Sequence, residues 1–183
     1  MKQVKNKTLY KGKWLALRQT TYTSKNGKEV NWESIERTNT TRTAVIIPKL
    51  VPSNTYIFIK QYRPAINNYI IGFPAGLIEN DDLEKEALRE LVEETGYHGK
   101  VKKISPLLYS NPALLTDTVN LVSIEIDEIS EENKNPIQHL EEEEEIEIIH
   151  VKKEEIVNFL RKEQENGMAI GIGPWYVFGD ILI

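Results

Sequence analysis

Between Leu9 and Thr38 apolar and polar positions alternate, the period of half-buried strands. Trp14–Arg18 and Thr20–Thr23 are rich in strand formers, Asn26-Gly27 is a hairpin signal, and Glu29–Arg37 supplies the return strand. So small an antiparallel sheet has little core of its own, which predicts packing on a partner chain. Thr43–Pro48 and Tyr56–Gln61 form the next strands, divided by a turn at Val51–Thr55; Arg63-Pro64 ends the second. Asn67-Asn68 then turns the chain into Tyr69-Ile70-Ile71 and the turn-rich segment Gly72-Phe73-Pro74-Ala75-Gly76-Leu77, which reads as a loop.

Beyond that loop the period changes to that of a helix. At about 100° per residue, Leu83, Ala87, Leu88, Leu91 and Val92 gather on one side. Asp81, three residues before Glu84, has the spacing of a capping box, and Gly96 is the expected stop. Lys100–Ser110 and Thr118–Asp127 read as strands joined by Asn111–Asp117, and Glu131–Asn135 reads as a mobile polar loop. Glu141–Glu145, five consecutive carboxylates, precede the alternating strand Ile146–Ile149. Lys152–Gly167 is a second amphipathic helix, with Ile156, Val157, Phe159 and Leu160 as its apolar positions, and Pro174–Ile183 a short terminal one. This order of elements predicts an α+β fold, a mixed sandwich with helices on sheet faces.

Composition narrows the function classes. A chain of 183 residues without internal repeats suits one domain with a full core. A net charge of −5 argues against a nucleic-acid surface. Zero cysteines exclude disulfides, thiolate chemistry and cysteine-based metal sites. No apolar run has the length of a signal peptide or a membrane span, so a cytoplasmic protein without a membrane partner is expected.

The candidate chemistry lies on the polar edge of the first helix. Glu90 and Glu94 are four residues apart, with Glu93 beside them and Arg89 as the nearby countercharge. A solvated acidic face is one reading of such a run. The other is a site for Mg²⁺ or Mn²⁺, since oxygen ligands on a rigid helix stand beside a glycine loop whose backbone can approach a ligand. Arg63, held extended by Pro64, suits phosphate or carboxylate, or is a surface arginine. Trp14 and Trp32 either pack in an interface or stack on a flat base.

These residues resemble the Nudix hydrolases. The second half of the family's box stands complete as Arg89-Glu90-Leu91-Val92-Glu93-Glu94-Thr95-Gly96-Tyr97, whereas the first half is one residue shorter, with Asp81 at the first acidic position. Phe73-Pro74-Ala75-Gly76-Leu77, Lys60-Gln61-Tyr62-Arg63-Pro64 and Pro112, fifteen residues beyond Tyr97, are similar to features of the ADP-ribose and ADP-sugar pyrophosphatases. Gly12-Lys13-Trp14 and Asn31–Arg37 resemble amino-terminal segments that exchange between subunits there. The resemblance implies an α/β/α sandwich over residues 41–183 and a dimer-forming strand segment over 1–40. It implies Mg²⁺ held by Glu90, Glu93, Glu94 and the Ala75 carbonyl, with Mn²⁺ as a substitute. Substrate contacts would come from Trp14, Trp32, Glu33, Arg37, Arg63, Leu77 and Asn111. Glu144 would be the base, and Glu142, Glu143 and Glu145 stand close enough to compete. The implied activity is hydrolysis of ADP-ribose to AMP and ribose 5-phosphate by a homodimer. GDP-mannose or another nucleoside diphosphate sugar is the alternative substrate, and a non-catalytic nucleotide-sugar sensor a third reading.

Overall fold

The computed structural model describes residues 2–80 and 82–180. Strands β1 (Lys2–Lys11), β2 (Leu15–Thr23) and β3 (Glu29–Arg37) form an antiparallel sheet in that order. Its hairpin turns at Gly27, whose φ of 75° is costly for residues with a side chain. The sequence pattern began at Leu9 and missed most of β1. Val4, Leu9 and Tyr10 are all exposed, so β1 is a strand through its ladder with β2 and not through a buried face.

The second sheet holds β4 (Arg42–Val51), β5 (Thr55–Arg63), β6 (Asn68–Gly72), β7 (Ala75–Leu77), β8 (Lys100–Ile104), β9 (Leu108–Tyr109), β10 (Thr118–Asp127), β11 (Ile146–Lys152) and β12 (Ala169–Ile170). It is mixed: β4 runs parallel to β10 from Arg42↔Thr118 to Val51↔Asp127, while β5 is antiparallel to both β6 and β11. Helix α1 (Leu83–Thr95) covers one face, where Ala87 and Leu91 pack with Ala44, Ile46, Val122 and Ile124. Helix α2 (Ile156–Glu165) buries Ile156 and Leu160 on the other face against Phe58, Ile71, Phe73 and Val151, with α3 (Ile172–Phe178) alongside. The result is the expected α/β/α sandwich. Each large side chain buried in these layers contributes about 1.5–3 kcal/mol. Among the described residues no helix is long and apolar enough to cross a membrane.

Five local expectations change. Ala75–Leu77 is a strand, paired antiparallel with Thr43–Val45, because the start of β4 has backbone groups that need partners. Lys100–Ser110 is two strands, broken at Ser105-Pro106, where proline has no N–H for a ladder. Helix α2 begins at Ile156, since Lys152 still pairs with Thr55 and a 3₁₀ turn follows. The cap of α1 is Asp82, whose carboxylate accepts the Lys85 N–H at 3.1 Å; Asp81 lies outside the described residues. The polar stretch around Asn133 is anchored. Its side chain is 4% exposed, accepts the His98 N–H at 2.8 Å and donates to the His98 carbonyl at 2.9 Å.

Candidate active site

Helix α1 lies with its apolar stripe on the sheet, which turns its acidic edge toward β7 and the ends of β3 and β5. A cleft of about 480 Å³ opens there. Arg37, Arg63, Leu77, Glu90, Glu94 and Glu144 line it, and Ala75 and Glu93 border it too. Arg63 keeps the extended backbone that Pro64 imposes, φ −120° and ψ 104°, at the end of β5. In the acidic run Glu141 and Glu144 face the cleft and are tied by a turn, Glu144 N–H to Glu141 O at 3.0 Å. Glu142, Glu143 and Glu145 are exposed.

Two of the carboxylates sit hard against the backbone of β7. Glu94, 5% exposed, accepts the Ala75 N–H at 2.9 Å. Burial pushes its carboxyl up to about 8, against the Ala75 N–H and Arg63, which favour the anion; Glu90 and Glu144 push the same way as burial. Glu90 is also raised by burial, with Arg89 opposing. Its carboxylate occupies the space where a side chain at residue 76 would be, so the site requires glycine there for lack of room and not for backbone angle.

Arg89 is the hub of this edge. It donates to Glu90 at 2.5 Å and Glu93 at 2.6 Å, and pairs with Glu86 at 3.2 Å. Glu86, 4% exposed, accepts from Asn80 as well, which links the loop before α1 to the hub. Among the described residues no three acidic or histidine side chains converge on a ready-made metal position. The donor set nevertheless fits a hard divalent cation. Its oxygens are carboxylates grouped on one helix edge beside the open backbone of β7, the donor type that Mg²⁺ and Mn²⁺ prefer.

Trp14, Trp32, Glu33 and Asn111 are not among the residues lining the cleft. Trp32 donates its indole N–H to the Ala113 carbonyl at 2.8 Å, with its ring 47% exposed. Register places Leu15 opposite Arg37 and Thr20 opposite Trp32, five residues apart along β2. That separates the Trp14 end of the hairpin from Trp32 by about 17 Å, so the two indoles of one chain do not face each other. Sequence reasoning missed Gln61 and Glu141 in the cleft. Each has the same signal as a residue it did select: Gln61 is two positions before Arg63 on a strand, and Glu141 three before Glu144 in a turn.

Known proteins share sequence and fold with this chain. An ADP-ribose pyrophosphatase of Saccharomyces cerevisiae is 36% identical over 138 residues, 70% of this chain and 60% of that protein. An ADP-sugar pyrophosphatase of Mus musculus is 35% identical over 133 residues, 68% of this chain and 61% of its own. The chain thus spans about three fifths of the length of these two relatives. A solved structure titled as that of an ADP compounds hydrolase shares the fold, with a TM-score of 0.65 over 91% of this chain and 94% of its own at 17% identity. Residues 40–169, which carry the cleft's acids and Arg63, match the NUDIX domain, and the chain belongs to that family.

Proposed function

We propose that this chain hydrolyses the diphosphate linkage of ADP-ribose and related nucleoside diphosphate sugars, releasing AMP and ribose 5-phosphate from ADP-ribose. The observation that carries the reading is one cleft that brings Arg37 and Arg63 together with Glu90, Glu94 and Glu144. The printed names of the two relatives support the substrate class. Arg37 and Arg63, from β3 and β5, would hold a diphosphate by charge-assisted hydrogen bonds and offset charge developing on its oxygens. Glu90, Glu93 and Glu94 would hold a divalent cation, Mg²⁺ or in its place Mn²⁺, with the Ala75 carbonyl as a further donor. Bound there, the ion supplies charge neutralisation between carboxylates and diphosphate together with Lewis-acid activation. Glu144, on the turn that leads into β11, accepts the proton of the attacking water. Leu77 packs beside the substrate on β7.

The active form in this reading is a cytoplasmic homodimer. Trp32 and Glu33 of one copy face the base together with Trp14 of the other, since one chain holds its two indoles apart; Asn111 contacts the sugar side. Exposed indoles stack any flat base, so a guanine-bearing substrate such as GDP-mannose is the second reading. A panel of ADP-ribose, other ADP-sugars and GDP-mannose, assayed with Mg²⁺ and with chelator, tests both. AMP release that depends on the cation supports the first reading, and GMP release in its place selects the second. No nucleotide product from any substrate refutes hydrolysis.

A further inference from the structure

Arg37 reaches the cleft from the amino-terminal sheet, at the last position of β3. A terminal arginine on a small, largely exposed sheet would sample several rotamers unless something outside the cleft fixed it. Asp117 does so. Its Oδ2 accepts the Arg37 Nε–H at 2.9 Å, and its side chain is 16% exposed against 39% for Arg37. Asp117 is itself held on both sides. Thr116 donates its N–H to the Ile35 carbonyl at 3.2 Å, and Thr118 donates to Thr41 at 2.7 Å. The rest of the loop is clipped to β3 as well, by Ile35 N–H to Leu114 O at 2.8 Å and by the Trp32 indole to Ala113 O.

We infer that Asp117 is a positioning residue for Arg37. It takes the guanidinium through Nε alone and so fixes the plane of the group. The two terminal nitrogens, which have no hydrogen-bond partner among the described residues, then remain for an anion in the cleft. The pair spans 80 positions of sequence and joins the end of β3 to the start of β10. Through it the amino-terminal sheet becomes part of the binding site. Asp117 touches no reacting atom and acts through Arg37.

The inference rests on the proposed diphosphate chemistry, and its test separates the two. Asp117→Ala and Asp117→Asn are assayed for KM and kcat with ADP-ribose, in the wild-type and the Arg37→Ala backgrounds. In the wild-type background Asp117→Ala raises KM about tenfold with little change in kcat, as expected for a contact that orders a binding group. Asp117→Asn, which keeps the acceptor oxygen, lies between the two. In the Arg37→Ala background the same substitution adds less than about twofold, because the residues act as one unit. An equal loss in both backgrounds, or an unchanged KM in a folded Asp117→Ala protein, overturns the inference. If wild type cleaves no nucleoside diphosphate sugar, the functional reading fails while the positioning is still read directly by NMR. Slow exchange of the Arg37 Nε–H with solvent, lost in Asp117→Ala, supports it; equally fast exchange in both proteins overturns it.

Discussion

Replacing Gly76 by alanine tests the most crowded point of the site. A β-carbon built there would lie 1.8 Å from Cδ of Glu90 and 2.1 Å from its Oε1. Carbon atoms rest at about 3.5–4.0 Å, so the carboxylate must retreat by roughly 1.5–2 Å. The three nearest obstacles are all side-chain atoms of Glu90, which can swing about three χ angles, so the fold absorbs the change at small cost. What it loses is the position of one carboxylate and its 2.5 Å pairing with Arg89. Misplacement of a catalytic group by about 1 Å can reduce the rate about 10²-fold, which sets the expected loss.

The assay is AMP release from ADP-ribose with Mg²⁺, run beside chemical denaturation. Gly76→Ala is expected to keep its unfolding free energy within about 1 kcal/mol of wild type and to lose at least about 10² in kcat/KM. Glu90→Gln supplies the control. If the methyl group acts by displacing Glu90, adding Gly76→Ala to Glu90→Gln costs less than about threefold more. Activity within about threefold of wild type in a folded Gly76→Ala protein would refute the reasoning, as would a large loss in the Glu90→Gln background.

Four further substitutions probe other parts of the structure. Glu144→Gln should lower kcat by about 10²–10⁴. Glu142→Gln, at an exposed neighbour, should change it little, and the reverse order of effects would move the base. Gly96→Ala should act on stability, because Gly96 has φ 73° and a β-carbon would meet the backbone nitrogen of Ile137; a loss of about 2–4 kcal/mol in urea unfolding is expected. His150, whose Nε2 lies 3.0 Å from the Tyr97 hydroxyl, is held below its ordinary 6.5 by burial of part of its ring. The unfolded chain therefore takes the proton first, so this group's contribution is full above pH 6.5 and is lost as pH falls through the folded value. His150→Gln should weaken the acid destabilisation seen between pH 7 and 5 in denaturation curves, and an unchanged pH dependence would count against it.

Some of this site could be read along the chain because its determinants lie within a turn or two of each other. The apolar stripe of α1, the stop at Gly96 and the Glu90–Glu93–Glu94 edge follow from spacing inside one helix, and Pro64 fixes Arg63 by contact with the next residue. The expectation for Asp81 was off by one position because Asp82 has the same cap chemistry, and three-residue spacing favours neither Glu84 nor Lys85 as its partner. Strand β7 escaped because three residues centred on glycine carry no alternation to detect; its pairing is dictated by β4, some thirty positions earlier. The break at Ser105-Pro106 was visible in the proline itself but was overridden by a run of strand formers around it.

The contacts that turn this scaffold into a specific cleft belong to a different class. Arg37 with Asp117, Trp32 with Ala113 and the Ser34–Arg37 edge beside Leu114–Thr116 all join segments about 80 residues apart, and no periodicity records them. They have a common consequence. Residues 40–169 build the carboxylate edge and Arg63 on a sandwich whose two cores draw no residue from the amino-terminal sheet. Arg37 is supplied by a sheet that lacks such a core and is positioned through the loop before β10. The acidic edge therefore stands on the half that has cores of its own, where Glu94 is buried and Glu90 half-buried against β7. Recognition can vary in the docked half, where a change at Asp117 or Ala113 shifts an arginine or an indole without disturbing the core.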